Sequence, residues 1–287
     1  MGPDETPAAA AGSMALGDGL TVNRMGFGAM RLTGPGIWGE PGDAGAARRV
    51  LERALDLGVT FIDTADSYGP EVSERLIHEA LHPYPDDLVI GTKGGQVRPG
   101  PGQWVPDGRP EHLRRALEGS LERLGIEQID LYQLHRPDPK VPFEESLGTL
   151  INLRNEGKIR CIGVSNVTEE QLLTALRMTA VVSVQNRYNL SDRHSEGVLE
   201  LCDEHGLAFI PWAPLALHDA GQLGGTLDAI AQAHDATVGQ VVLAWLLARS
   251  PRMLPIPGTA SVHHLEQNVA AAALQLAPEE MQELESL

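Results

Sequence analysis

Short runs of β-branched and aromatic residues alternate along the chain with longer stretches in which apolar side chains recur every three or four positions. The short runs are FGAM next to Gly26, then TFIDT, LVIGT, IDLYQL, CIGVS, VSVQN, LAFIPW and MLPIP. Between and after them come AARRVLERALDLG, SERLIHEALH, EHLRRALEGSLERLG, FEESLGTLINLRNEGK, EEQLLTALRM, SEGVLELCDEHG, TLDAIAQAHDATVGQVVLAWLLARS and VHHLEQNVAAAAL. The first set reads as buried strands and the second as amphipathic helices. Glycines at 58, 125, 157 and 206 stand where a left-handed residue ends a helix. Eight strand–helix alternations predict an α/β fold, a (β/α)8 TIM barrel whose functional groups come from loops at the C-terminal strand ends. SMALGDGLTVNRMGF reads as an N-terminal β-hairpin cap. The residues before it read as a disordered tail, giving a tail over 1–13 and one domain over 14–287.

Composition narrows the function without altering that architecture. A chain of 287 residues is of ordinary size for one barrel. No apolar run is long enough to span a bilayer. A net charge of −17 argues against extended binding to nucleic acid or an anionic membrane. The N-terminal Asp and Glu do not suit a secretory signal. Cys161 and Cys202 have no metal-like or CxxC spacing and read as core thiols, which points to a reducing cytoplasm.

Candidate chemistry gathers at the ends of three successive predicted strands. FIDTADSYG carries Asp63 and Tyr68, LVIGTKGG carries Lys93, and IDLYQLHRPD carries His135. A tyrosine phenol, with its pKa near 10, is a poor acid at neutral pH, so a lysine ammonium and an orienting carboxylate are what would make it a usable proton donor. Singly, each residue has an ordinary structural reading. LTGPGIWGEPG also fits GxGxxG, through Gly34, Gly36 and Gly39. Pro35 lacks a backbone donor and no helix follows at once, so this reads as a flexible loop over the barrel mouth rather than a phosphate cradle. Trp38, at its tip, and Trp104 become candidate walls of a substrate pocket.

The order and spacing of Asp63, Tyr68, Lys93 and His135 resemble the aldo-keto reductases over nearly the whole chain. The resemblance implies that Tyr68 is the general acid for carbonyl reduction, that Lys93 paired with Asp63 lowers its pKa, and that His135 orients the carbonyl. No metal is required. It further implies that Ser165, Asn166 and Gln185 fix a nicotinamide carboxamide and that Trp212 stacks on the ring, with Pro214 and Leu215 alongside. Gly258, Thr259, Ser261, His264, Gln267 and Asn268 match the family segment around the adenosine 2′-phosphate. Gly258 and His264 stand where members that strongly prefer NADPH often carry Lys and Arg. NADPH is therefore the expected cofactor and NADH the alternative. The implied partner is a small-molecule carbonyl substrate, whose identity would be set by loops around Trp38, Trp104 and the stretch after Leu215. The IPGT, GPGIWG and SNVT strings resemble bacterial members related to pyridoxal reductases. A non-catalytic nucleotide-sensing subunit on the same fold, as in potassium-channel β subunits, is the alternative function.

Overall fold

The computed structural model describes residues 6–215 and 224–287. A hairpin of β1 (Ser13–Gly17) and β2 (Leu20–Asn23) precedes the barrel. The barrel strands are β3 (Phe27–Gly28), β4 (Phe61–Asp63), β5 (Val89–Gly94), β8 (Ile129–Leu134), β9 (Ile159–Ser165), β10 (Val181–Gln185) and β11 (Ala208–Phe209). They pair in parallel, each with its successor. A second, small hairpin of β6 (Gln96–Val97) and β7 (Val105–Pro106), which the sequence pattern did not predict, follows β5.

MLPIP, expected as the eighth strand, contributes a single bridge, Phe209 to Met253, rather than a ladder. Pro255 and Pro257 have no N–H to give, which limits it to isolated bonds. Leu254 N–H donates to the Phe209 carbonyl at 2.8 Å, and the Pro255 carbonyl accepts from Gly26 at 3.0 Å. These bonds close the barrel. At this seam a Cβ on Gly258 would lie 2.4 Å from the Gly28 carbonyl oxygen. The backbones approach too closely for any side chain at 258.

Helices α1 (Ala44–Asp56), α2 (Val72–Leu81), α3 (Pro110–Leu124), α4 (Phe143–Asn155), α5 (Glu169–Met178) and α6 (Glu196–His205) alternate with these strands. The long helical pattern after them is two helices, α7 (Gly224–Ala233) and α8 (Val238–Arg249). Asp235 takes a left-handed φ of 50° between them, and Thr237 and Gln240 form a capping box that starts α8. Then come α9 (Val262–Ala270), where Ser261 caps His264 N–H, and α10 (Pro278–Glu285).

Two layers of core result. Strand side chains facing outward pack under the helices, with Trp245, Tyr188 and Phe209 among the largest buried groups. Inward-facing Phe61, Val89, Leu131, Cys161, Ala208, Ile210, Leu254 and Ile256 fill the barrel. Met14, Leu16, Leu20 and Val22 of the hairpin join this inner cluster, so alternation along β1 and β2 plugs the N-terminal end. Burial pushes the Cys161 thiol up to about 11 and that of Cys202 higher still, which suits core thiols.

The disordered-tail expectation is corrected for residues 6–12. Pro7–Ala11 form a 3-10 helix, Ala8 is fully buried, and its N–H donates to the Leu57 carbonyl at 2.9 Å. Alanine side chains are small enough to let this turn lie against the end of α1. Residues 1–5 lie outside the described residues, as does most of the stretch after Leu215 expected to shape the substrate wall.

Candidate active site

Asp63 ends β4 and Lys93 stands on the neighbouring β5, at the C-terminal end of the barrel. Lys93 Nζ donates to Asp63 Oδ2 at 2.7 Å, to the Thr64 carbonyl at 2.8 Å and to the Tyr68 hydroxyl oxygen at 3.2 Å. All three ammonium hydrogens are used. On its other oxygen Asp63 accepts from Gln185 at 2.8 Å and Gln133 at 3.2 Å. A buried ion pair is stable only when its remaining valences are met, and here Thr64 and Tyr68 beyond the end of β4, Gln133 of β8 and Gln185 of β10 meet them.

Burial acts against the Lys93 charge, but Asp63 and Tyr68 outweigh it and hold the ammonium above its ordinary pKa. The Tyr68 phenol is raised, first by burial and also by Asp63, with Lys93 pulling the other way. Lys93 thus acts in the direction expected from the sequence, while burial sets the net shift. Tyr68 is held as the neutral phenol, the form that gives up a proton.

His135 follows β8, and its N–H reaches back to the Gly94 carbonyl at 2.9 Å. Its Nδ1 is 3.3 Å from Ser67 Oγ. Burial, then Lys93 and Arg136, push its pKa well below the ordinary value, so the ring is a neutral imidazole. If Ser67 donates to Nδ1, Nε2 keeps the proton and is the donor. The rings of Tyr68 and His135 meet edge-on at 5.9 Å, and Trp104 closes the group at 6.3 Å and 6.4 Å from them. All four residues proposed for proton chemistry are therefore brought together with one of the two proposed pocket walls.

The next strand ends are interlocked. Ser165 Oγ donates to the Gln185 carbonyl at 2.7 Å, and Asn166 Nδ2 donates to the His135 carbonyl and Ser165 Oγ, both at 3.0 Å. Asn166, at a left-handed φ of 57°, accepts on Oδ1 from Trp212 Nε1 at 3.1 Å. Trp212 is half-buried, with the Arg187 guanidinium 5.6 Å from its ring centre, and Pro214 is buried two residues on. Gln185 belongs to two groups at once, since its amide nitrogen is spent on Asp63.

A cleft of about 1070 Å³ is lined by Gly258, Thr259, Ser261, His264, Gln267 and Asn268, together with Leu215. These are the residues expected from the sequence around the last strand. Thr259 Oγ1 accepts from Ser261 N–H at 3.1 Å, and the exposed His264 sits in the first turn of α9. A lysine at 258 is excluded by the Gly28 carbonyl, which gives a physical reason for the missing cation.

Sequence reading missed four contributors. Arg31 lines the same cleft and makes no ion pair among the described residues; its place just past β3 was the available signal. Gln133 and Ser67 hold Asp63 and His135 but sit in no recognisable motif. Arg98 binds the loop carrying Trp38 through the Gly36 and Ile37 carbonyls. That loop, expected to be flexible, is thereby fixed, and Trp38 also bridges Gly69.

Residues 24–287 match the Aldo/keto reductase family. An uncharacterized oxidoreductase of Schizosaccharomyces pombe is 52% identical over 272 residues, covering 95% of this chain and 88% of its own. Pyridoxine 4-dehydrogenase of Escherichia coli is 41% identical over 274 residues, covering 93% and 95%. The crystal structure of a Klebsiella pneumoniae aldo-keto reductase in complex with NADPH superimposes with a TM-score of 0.78 at 30% identity, covering 93% of this chain and 91% of that one.

Proposed function

The chain belongs to the aldo/keto reductase family, and from that premise we propose that it reduces an aldehyde or ketone to the alcohol with NADPH, Tyr68 giving the proton. The observation that carries this reading is the hydrogen-bonded line from Asp63 through Lys93 to Tyr68, closed by a neutral His135. A pure nucleotide sensor has no need of a buried ammonium aimed at a phenol.

The cleft fits a dinucleotide. Its lining includes the start of α9, where backbone N–H groups and the hydroxyls of Thr259 and Ser261 suit a phosphate, together with Leu215 and residues after β3. Nicotinamide chemistry supplies a hydride when the cofactor is bound. The residues of this chain do the rest. Tyr68 donates its proton to the carbonyl oxygen as negative charge develops there, and Lys93 stabilises the resulting phenolate. His135 donates a second hydrogen bond to that oxygen through Nε2. Gln185, with Ser165 and Asn166, would hold the carboxamide of the nicotinamide. The 41% identity to an enzyme named for pyridoxine favours pyridoxal among the carbonyl substrates to be tried.

Steady-state oxidation of NADPH with 4-nitrobenzaldehyde and with pyridoxal tests the proposal. Tyr68→Phe should lower kcat by more than ~10²-fold while the cofactor Kd stays near the wild-type value. Wild-type protein that binds NADPH but consumes none with any carbonyl would favour the sensing subunit instead. Near-normal turnover by Tyr68→Phe would remove the phenol from the mechanism.

A further inference from the structure

Arg98 follows β6 and is 8% exposed. Its guanidinium centre lies 3.6 Å from the ring centre of Trp104 and 5.6 Å from that of Trp38. It donates to four backbone carbonyls: Gln103 from Nε at 2.9 Å, Ile37 and Ser67 from Nη1 at 2.9 Å and 3.1 Å, and Gly36 from Nη2 at 3.2 Å. Among the described residues no carboxylate pairs with it. A charge taken out of water is costly, and here the only compensation is carbonyl oxygen and two indole faces. A lysine has no planar fork with which to reach several carbonyls in different directions.

The four carbonyls belong to three loops. Gly36 and Ile37 follow β3, Ser67 follows β4, and Gln103 lies in the turn between β6 and β7. Arg98 joins the third loop, which carries Trp104, to the first, which carries Trp38, and to the second, which carries Tyr68. Ser67 gives its carbonyl to Arg98 and its hydroxyl to His135. The arrangement therefore sets Trp104 against Tyr68 and His135, the two groups that would hold a carbonyl oxygen, and ties the loop of Trp38 to the same guanidinium.

We propose that Arg98 is a positioning residue that assembles the aromatic wall of the substrate pocket and so selects flat aromatic carbonyl compounds over small aliphatic ones. This rests on the reductase reading for its activity test but not for its structural one.

Arg98→Met and Arg98→Lys would be compared with wild type on 4-nitrobenzaldehyde and propanal, with hydrogen exchange measured on all three proteins. An aromatic ring contact is worth up to about 1.5 kcal/mol, so the ratio of kcat/KM for the aromatic over the aliphatic aldehyde should fall about tenfold, mostly through KM. Arg98→Lys should not restore the ratio. Exchange should rise in 34–39, 66–69 and 98–105 while the barrel strands keep their protection. An unchanged ratio in active variants would overturn the selective role. Unchanged exchange in the three loops would overturn the bracket itself, even if wild type turned over neither aldehyde.

Discussion

The Lys93 ammonium stands 3.2 Å from the Tyr68 hydroxyl oxygen, on a strand adjacent to the one that ends at Asp63, with every hydrogen committed. The Asp63–Lys93 pair is thus fixed by the barrel ladder itself, and Lys93 ties the hydroxyl of the loop-borne Tyr68 to it.

Lys93→Met should lower kcat by ~10²-fold or more, because the developing phenolate loses its counter-charge. It should also lower the melting temperature, since Asp63 is left buried with only two amide donors, and breaking such a pair costs about 3–5 kcal/mol. Adding Asp63→Asn should restore much of the stability and none of the activity. Melting temperatures and kcat for the two single variants and the double variant check this. Recovery of turnover in the double variant would show that the ammonium is structural.

Asp66 gives a prediction about pH. Its carboxyl is held well above the usual carboxylate range, by burial first and by Glu74 next, against the opposing pull of Arg123 and the Ser67 N–H. Its Oδ1 is buried without a hydrogen-bond partner. The folded protein therefore binds this proton more tightly than the unfolded chain, whose Asp titrates near 3.9. The stability so gained is complete below that value and is lost as pH rises through the folded pKa. Asp66→Asn mimics the protonated form, so its melting temperature relative to wild type should climb between pH 4 and 8. A difference that stays flat over that range would show that Asp66 is charged in the fold.

Arg31 and His264 should act on different parts of the cofactor. Arg31 stands three residues past Gly28, which pairs with Asp63, and so lies toward the tetrad, whereas His264 belongs to α9. Arg31→Ala should weaken NADPH and NADH alike, as expected for a contact with the shared pyrophosphate. His264→Ala should weaken NADPH alone, because its ring stands at the start of α9 where it could donate to the 2′-phosphate. A charge-assisted bond of about 1.5 kcal/mol or more gives about a tenfold change in Kd. Fluorescence titrations with NADPH and NADH measure both effects. An NADPH preference untouched by His264→Ala would leave the phosphate to the hydroxyls and N–H groups at the start of α9.

Most of the barrel could be read from the chain because each strand is a short apolar run whose neighbours carry the helical period. Reading failed where local chemistry overrode that period. Pro255 and Pro257 reduced a strand to one bridge, Thr237 and Gln240 divided one helical pattern in two, and an alanine run too short for a helix docked as a 3-10 turn. The clustering of Asp63, Tyr68, Lys93 and His135 was legible because each stands near or past the end of a strand. Arg98, Ser67 and Gln133 were not, since the pairs Arg98–Ser67, Ser67–His135 and Gln133–Asp63 span 31 to 70 positions and a single sequence carries no trace of such pairs.

The hairpin packs its apolar side chains into the N-terminal end of the barrel and so fills one of its two ends. Met14, Leu16, Leu20 and Val22 close the floor, so traffic to Tyr68 passes the rim on which Trp38 and Trp104 stand. Which end of the barrel a ligand can use is thus decided by the side farthest from Tyr68.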